Sequence, residues 1–582
     1  MSHPAAQLFL TLSVLLTPFS LPIRAQEIRD EKGNVYAELT KVSRLPYRWE
    51  FDPDIDVRWS LSKQPPPLEV PSASLVSGSE RECLQTAERI HRSGTRGIAD
   101  AAEVYQSIHQ RLQNEGNSRT LELALVSAAV QIHDKKEDID FLWAIVRSKP
   151  LVRRIVEGAL IKTQSTVALE FWREHVQSST LLADQMLAIK GIGACGAPSD
   201  SKLLIPLLTN PSTALPVQMT AAKSLGSLVP RGLAAADLRP LAQELLAGDR
   251  PQAELLVANL LKHDDQMEGR TVERLLKGTN GPAQQITFAN LMRHQPSLAE
   301  QNLADFLKHP DPAGRDLALR FVYEKSFGES LKNKTSILRN ALGDPNEKVR
   351  VNARSMLLSI HKSEPEEVVA EAKKALTGGN ALAQEQACIL AGEAGMEQLS
   401  SQLYDLLSSE SVEVRASAAW GVQRATSDKA ILDSLEAFAQ QRSESDLKSG
   451  SWPTPGDTAQ LAYLFETLGK NRIAKSEKML RRYFSKESAP PQLRASAIWA
   501  LGMLKENSAD GRLAGQLEQR LHDDSDLNPE HMVVKYVSAI SMARIGADSS
   551  FSSLESHYER PPFPVGLARQ WAMRQLSSGN QK

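Results

Sequence analysis

A short pattern of polar, apolar and small positions recurs along the chain. A polar residue is followed by apolar residues three and seven positions later and then by glycine, as in QMLAIKGIG from Gln185 and QMTAAKSLG from Gln218. Closely similar segments are LAYLFETLG from Leu461 and RASAIWALG from Arg494. Looser copies begin at Glu254, Gln285, Arg315, Arg350, Gln384, Arg415, Lys535 and Arg569. Apolar residues at this spacing predict a helix in every copy.

A second stretch with helical spacing precedes the copies, as in residues 203–208, 336–342 and 403–407. Turn signals such as Asn210-Pro211 separate the two stretches. The twelve copies begin 30 to 46 residues apart, and these units show no alternation typical of strands. Each unit is therefore predicted to be a helical hairpin that buries its apolar face by stacking on its neighbours. The chain is expected to be all-α and to be one elongated array.

The segment from Asp344 to Ala353, DPNEKVRVNA, resembles the turn and second helix of HEAT repeats, as do VR at residues 414–415 and LR at residues 493–494. The resemblance covers residues 81–577 and implies a right-handed α-α superhelix, a HEAT-like solenoid of about twelve or more helical hairpins. It also implies that Asp344, Arg350, Arg415 and Arg494 stack as a ladder between neighbouring repeats. The anchors at residues 185, 218, 254, 285 and 384 carry Gln or Glu, so we expect an irregular ladder there.

The ends of the chain and one interval depart from the repeat. Residues 1–25 contain a nine-residue apolar run, Leu8 to Leu16, and end in IRA, which is typical of a secretory signal peptide. Residues 26–80 are expected to form an extended, Pro-rich leader, and residues 578–582 a disordered tail. Residues 442–458 are expected to form an inserted loop with Trp452 at its tip. A signal peptide implies a secreted or periplasmic protein.

Composition and charge limit the partners. The chain has 582 residues and a net charge of −2, with 68 Lys and Arg against 70 Asp and Glu. This balance argues against nucleic-acid binding by phosphate contacts. No segment after the signal peptide is long and apolar enough to predict a membrane span. The three cysteines, Cys83, Cys195 and Cys388, are expected to be small buried residues; the alternative is one disulfide with one free thiol.

The common catalytic motifs are absent from the sequence, including phosphate loops, nucleophile elbows and HExxH. His-Asp pairs at residues 133–134, 263–264 and 522–523 fall in turns and are interpreted as solvated turn residues. Acidic clusters at residues 52–56 and 524–528 lack the glycine and the final glutamate of a calcium loop, so charged turns are expected. We predict no catalytic residue, metal or cofactor. The alternative is a lyase or hydrolase whose groove carries an unrecognised site.

Two tryptophans stand out in a chain with only 5% aromatic residues. At about 100° per residue, the fifth position after an anchor lies opposite the core face of its helix. Trp420 follows Arg415 and Trp499 follows Arg494 at that distance. If they are exposed, they are candidate contacts for a partner, because aromatic residues are enriched at binding hot spots. The alternative is that tight curvature buries both rings between helices. The predicted function is a non-catalytic scaffold that binds a protein or peptide partner along its concave face; the oligomeric state is left open.

Overall fold

The computed structural model describes residues 70–92, 98, 100–114, 116–132, 136–248, 252–325, 333–449, 455–486, 488–525, 528–547, 549–556 and 564–579. The predicted signal peptide, most of the leader, Trp452 and the acidic cluster at residues 52–56 lie outside these ranges. The described residues contain thirty α-helices and no strand, which confirms the all-α prediction.

The chain divides into two units, and the boundary lies between Leu331 and Lys332. The N-terminal unit contains α1 (Ser72–Val76), α2 (Glu80–Arg92), α3 (Ala101–Leu112), α4 (Arg119–Ile132), α5 (Lys136–Val146), α6 (Pro150–Lys162), α7 (Leu169–Ser178), α8 (Leu182–Cys195), α9 (Ser201–Thr209), α10 (Leu215–Leu228), α11 (Ala235–Ala247), α12 (Ala253–Leu260), α13 (Gly269–Lys277), α14 (Gly281–His294), α15 (Pro296–Leu307) and α16 (Pro312–Lys325). The C-terminal unit contains α17 (Lys334–Ala341), α18 (Glu347–His361), α19 (Pro365–Thr377), α20 (Ala381–Ala394), α21 (Ser400–Asp405), α22 (Val412–Ala425), α23 (Lys429–Ser449), α24 (Pro455–Lys470), α25 (Glu477–Leu480), α26 (Pro491–Leu504), α27 (Gly511–Leu521), α28 (Met532–Ile545), α29 (Ser549–Ser556) and α30 (Pro564–Gly579).

Within each unit the helices form a stack of antiparallel hairpins. Every even-numbered helix packs on the odd-numbered helix before it and, within its unit, on the even-numbered helices on either side. We call the layer formed by the even-numbered helices the even layer and the layer formed by the odd-numbered helices the odd layer. All twelve anchors predicted from the sequence lie in even-numbered helices. The predicted hairpin solenoid is therefore confirmed within each unit, and three further hairpins precede the first anchor.

The anchors have a common physical role at the start of the even helices. Arg350 donates from Nη1 to the carbonyl oxygens of Asp344 and Pro345, and Arg415 does the same to Ser409 and Glu410. Gln218 and Gln384 donate their side-chain amide to equivalent carbonyls at the end of the preceding odd helix. These carbonyls lie at the end of the odd helix or in the turn that follows it, so the anchor gives them a hydrogen-bond donor and joins the two helices of a hairpin.

Two hairpins depart from this arrangement. Gln460, next to the anchor Leu461, donates to the carbonyl of Leu407, which belongs to the preceding hairpin of α21 and α22. In the hairpin of α13 and α14, the residue beside the anchor makes the closing contact, because Gln284 donates to the carbonyls of Leu276 and Gly278. Gln285 instead donates to Asp311 of the following hairpin. An arginine is thus not needed at this position, because a neutral amide reaches the same carbonyl oxygens.

The implied ladder between repeats is present at two of the named arginines. Arg415 Nη2 lies 2.9 Å from the Asp457 carboxylate of the next hairpin. Arg494 donates two hydrogen bonds to Glu530, each of 2.9 Å, and links α26 to the residues just before α28. Asp344 contributes to its own turn, because its carboxylate accepts from the backbone N–H of Asn346.

Small residues let neighbouring even helices approach closely. A Cβ added to Gly193 of α8 would lie 2.6 Å from Cβ of Ser224 in α10. A Cβ added to Gly392 of α20 would lie 2.4 Å from Cζ3 of Trp420 in α22. Both distances are well below van der Waals contact, so glycine is required by the packing. This explains why the repeated sequence pattern ends in glycine.

Several boundaries and turns differ from the sequence prediction. Residues 442–449 continue α23 and residues 455–458 begin α24, so the predicted inserted loop is largely helical. A short helix, α1, precedes Glu80. Asp264 is not a solvated turn residue: it is 1% exposed and accepts two hydrogen bonds from Arg239 of α11. The buried Asp264 therefore joins α11 to the turn that follows α12.

Candidate partner-binding surface

The two candidate tryptophans do not form an exposed pair. Trp420 is only 2% exposed, so the prediction of an outward position is wrong for this residue. Its ring packs on Gly392, and the Arg424 guanidinium lies 4.8 Å from its ring centroid. Trp499 is half-buried, with Arg544 at 5.2 Å from its ring. The alternative, burial of the ring between closely packed helices, is confirmed for Trp420.

Two even helices of the C-terminal unit, α24 and α28, are largely buried. Every residue from Val534 to Ile545 in α28 is buried, including Lys535 and Arg544. Residues 461–469 of α24 are also buried throughout. These helices offer little side-chain surface to a partner.

The even layer of the N-terminal unit is different, because one face of α8, α10, α12 and α14 is open. Side chains spaced four residues apart lie on the same face of a helix. On α8 this row contains the exposed Leu182, the half-buried Met186 and the exposed Lys190. On α10 the same row contains the exposed Leu215, the half-buried Met219 and the exposed Lys223.

The next two hairpins also carry apolar and cationic side chains on this open face. Leu255 and Ile286 are half-buried on α12 and α14, Lys262 is half-buried just after α12, and Arg293 is exposed near the end of α14. We call these eight residues the mixed face; its apolar column contains Met186, Met219, Leu255 and Ile286, and its cationic column contains Lys190, Lys223, Lys262 and Arg293. The apolar column lies nearer the helix N-termini and the cationic column nearer the C-termini.

Direct contacts show that the rows of neighbouring helices adjoin. The Asn259 side-chain nitrogen lies 3.5 Å from the sulfur of Met219, and Lys262 Nζ donates to Ser227 Oγ at 2.8 Å. Asn290 of α14 donates to the carbonyls of Leu261 and Asp264. The columns are therefore continuous across the hairpins.

The mixed face carries an uncompensated positive charge. The four helices α8, α10, α12 and α14 contain only two acidic residues, Asp184 and Glu254. Asp184 is buried and paired with Arg153 and Arg154 of α6, and Glu254 accepts from the backbone N–H of Asn280. Among the described residues, no carboxylate lies within 4.0 Å of the four cations of the mixed face. In a nearly neutral chain, this is a local excess.

The pKa shifts agree with this crowding of like charges. Burial lowers the pKa of Lys262, and the nearby Lys223 lowers it further. Burial also lowers the pKa of His263, with added repulsion from Lys262, Arg293 and His294. A bound anion near these groups would relieve the repulsion. The surface is therefore suited to a ligand that presents carboxylates beside apolar groups.

Sequence reasoning missed this face because its cations do not share one repeat position. Lys190 and Lys223 lie five residues after their anchors, whereas Lys262 and Arg293 lie eight residues after Glu254 and Gln285. The available signal was the near-absence of acids from the second helices of four successive repeats. That signal becomes meaningful only once the exposed side of each helix is known.

The predicted charged turn before α28 is held by lysines. Lys486 pairs with Asp523 at 2.6 Å, and Lys535 pairs with Asp524. Among the described residues, no group of three or more His, Cys, Asp or Glu is arranged to hold a metal. Within the same ranges, no helix is long and apolar enough to cross a membrane.

A Ser–His contact is present beside α27 but does not form an open nucleophilic site. His522 lies on a cavity of about 840 Å³ that is also lined by Arg512 and Glu518. Its Nε2 atom is 3.1 Å from Ser553 Oγ, yet Ser553 is only 4% exposed. A nucleophile must reach the reacting atom of its substrate. The alternative of a lyase or hydrolase gains no support from this pair.

No protein-family model matches the chain, and no curated protein sequence matches it. Among solved structures, a complex of Kap95p with RanGDP is 11% identical, with a TM-score of 0.48, and the match covers 87% of this chain and 72% of that chain. The Kap95:Nup1 complex is 13% identical with a TM-score of 0.44, covering 93% and 72%. Yeast importin-beta (Kap95p) is 12% identical with a TM-score of 0.41, covering 88% and 66%. The solenoid assignment rests on the helix packing described above.

Proposed function

We propose that this protein is a non-catalytic scaffold and that the mixed face of its N-terminal unit binds a segment of a partner protein. The observation that carries the proposal is the open row of apolar side chains beside cations for which the described residues supply no carboxylate partner. Apolar contacts supply affinity, and charges at their edge supply orientation and selectivity. The buried helix α28 offers a partner neither apolar contacts nor accessible charges.

Site-specific photo-crosslinking tests this proposal. A photoreactive amino acid is placed at Met186, Met219 or Leu255 in the native host, with Arg270 on the odd layer as the control position. Arg270 is exposed, so it reports contacts that do not depend on the mixed face. We expect one protein to be crosslinked from all three positions and not from Arg270. The purified partner should then bind the full chain in solution.

The proposal is wrong if the three positions give no common crosslinked protein or if the control position gives the same one. Reconstitution is required because capture from an extract alone does not establish a direct contact. Lys202→Glu/Arg270→Glu is a matched charge change on exposed odd-layer residues and should leave the reconstituted affinity unchanged.

The role of Trp499 as a partner contact stays a prediction. Its half-buried ring leaves part of the indole accessible, whereas Trp420 is too buried to contact a partner directly. Trp499→Phe should weaken partner binding if the indole is used. Equal affinity with unchanged thermal stability would remove Trp499 from the binding site.

We also propose that the protein is exported, on the strength of the apolar run and cleavage pattern in residues 1–25. Amino-terminal sequencing of the native protein tests this. A mature start at Gln26 in an extracytoplasmic fraction is the expected result. Recovery of the intact amino terminus from the cytosol would contradict it.

A further inference from the structure

We propose that the mixed face recognises an acidic amphipathic α-helix of the partner, with its apolar stripe on the apolar column and its carboxylates on the cationic column. This inference rests on the proposed scaffold function and specifies the chemistry of the bound segment. It follows from the charge, the width and the spacing of the two columns.

The charge of the face selects an acidic occupant. Within the described part of the chain, Lys190, Lys223 and Arg293 are exposed without a carboxylate partner, and Lys262 Nζ donates to the neutral Ser227 hydroxyl. The acids of these helices are already engaged, since Asp184 is paired with two arginines. An acidic segment therefore gains ion pairs without displacing existing ones.

The width of the face selects a helix over an extended strand. Met186 and Lys190 are one helical turn apart, and Ile286 and Arg293 are two turns apart, so the columns are separated by about 6 to 10 Å. An extended strand presents a single line of alternate side chains on one face. A helix of about 10 Å diameter presents an apolar stripe and a flanking charged stripe together. It covers both columns at once.

The spacing of successive even helices sets the register of the carboxylates. Packed helices lie about 8 to 10 Å apart. An α-helix that crosses them advances about 10 Å in seven residues. One apolar and one acidic side chain in each heptad therefore match one member of each column per hairpin.

The chemistry of the face favours a peptide over a nucleic acid. Single-stranded nucleic acids are bound by basic grooves with aromatic side chains on which the bases stack. The mixed face contains no aromatic residue, and the only aromatic of these four helices, Phe288, is fully buried. Its apolar column consists of aliphatic and thioether side chains, which pack well against another helix.

Two synthetic helical peptides of about four heptads and identical composition test the inference. In the matched peptide, glutamates flank the leucine stripe; in the split peptide, the glutamates lie opposite it. Binding to the full chain is measured by fluorescence anisotropy. We expect the matched peptide to bind about tenfold or more tightly than the split peptide, with an affinity that falls as salt rises.

Charge reversal locates the interaction on the protein. Lys190→Glu/Lys223→Glu should weaken the matched peptide about tenfold or more, and Lys202→Glu/Arg270→Glu should have no effect. Circular dichroism and thermal melting verify that both variants fold. If the reversal variant loses helicity, Lys190→Gln/Lys223→Gln supplies the same comparison. Met186→Ser/Met219→Ser should weaken the matched peptide without changing its salt dependence.

Several results would overturn the inference. Equal binding of the matched and split peptides would show that the position of the glutamates on the peptide helix does not affect binding. Equal effects of the two charge variants would show that the cationic column does not contact the peptide. Binding of a single-stranded oligonucleotide, in the absence of peptide binding, assigns the face to nucleic acid. A partner crosslinked at Met219 whose affinity is unchanged by charge reversal overturns the acidic helix and leaves the scaffold function intact. Failure of all crosslinking overturns the scaffold function itself.

Discussion

Arg494 and Glu530 form a bidentate ion pair across two hairpins, with both N–O distances at 2.9 Å and both residues 3% exposed. Arg494 also donates from Nε to the carbonyl of Ala489. The arginine thus joins its own hairpin to the next one. Removing one member of such a buried pair leaves an uncompensated charge in the core.

We expect Glu530→Gln to destabilise the packing of α26 on α28 by about 3 to 5 kcal/mol. The measurement is the opening free energy from amide hydrogen exchange in residues 491–545. Glu506→Gln is the control, because its partner Arg472 is largely exposed and surface pairs contribute about 1 kcal/mol or less. Equal effects of the two substitutions would show that the Arg494–Glu530 pair is not a buried joint.

The Gly392–Trp420 contact predicts a strong coupling between the two positions. Gly392→Ala should cost about 1 to 3 kcal/mol through overpacking, and Trp420→Ala about 3 to 5 kcal/mol through a cavity. The double variant should cost less than the sum, because the cavity accepts the added methyl group. Denaturant unfolding checks this, with Gly379→Ala as the control, since nothing lies within 4 Å of a Cβ at that position. Additive costs would contradict direct packing.

The three cysteines should behave as reduced but protected thiols. Cys83, Cys195 and Cys388 are all buried and unbridged, and burial raises the pKa of the Cys388 thiol well above its usual range. Because the thiolate is the reactive form, native protein should react very slowly with a thiol reagent. Without reductant, the denatured chain should titrate three thiols. A count of one would establish the disulfide that the sequence left open.

Acidification should destabilise the hairpins around His263. Burial and neighbouring cations lower the folded pKa of this histidine, so the unfolded chain binds a proton more readily as pH falls. The resulting stability is complete above an unfolded pKa of about 6.5 and is lost as pH falls below it. Hydrogen exchange in residues 253–294 is compared at about pH 7.5 and pH 5.5.

His263→Gln should reduce the difference between the two pH values, whereas the same change at the exposed His91 should not. If His263→Gln leaves the acid sensitivity of residues 253–294 unchanged, the effect belongs to other groups. His294 is the first of these to substitute, because it contributes to the repulsion at His263.

The sequence was sufficient to predict the hairpin repeat because helical spacing and turn chemistry are local properties. Arg350 and the turn at residues 344–346 lie where the pattern indicates. Burial of Trp420 was not predictable in this way, because it depends on how closely α20 approaches α22 at Gly392. The same limit applies to the mixed face: Lys223 and Lys262 are 39 positions apart and meet only through the packing of α10 on α12.

The contacts of the anchors bear on how whole hairpins could be added to or lost from such a chain. Gln218, Gln384 and Arg350 each close the hairpin to which they belong, using carbonyls five to eight residues earlier in the sequence. In these three hairpins the closing contact therefore lies within the hairpin's own sequence. Gene segments that encode whole hairpins can be duplicated, lost or lengthened between hairpins while this internal closure is kept. The intervals between anchors can therefore vary from 30 to 46 residues without loss of this contact.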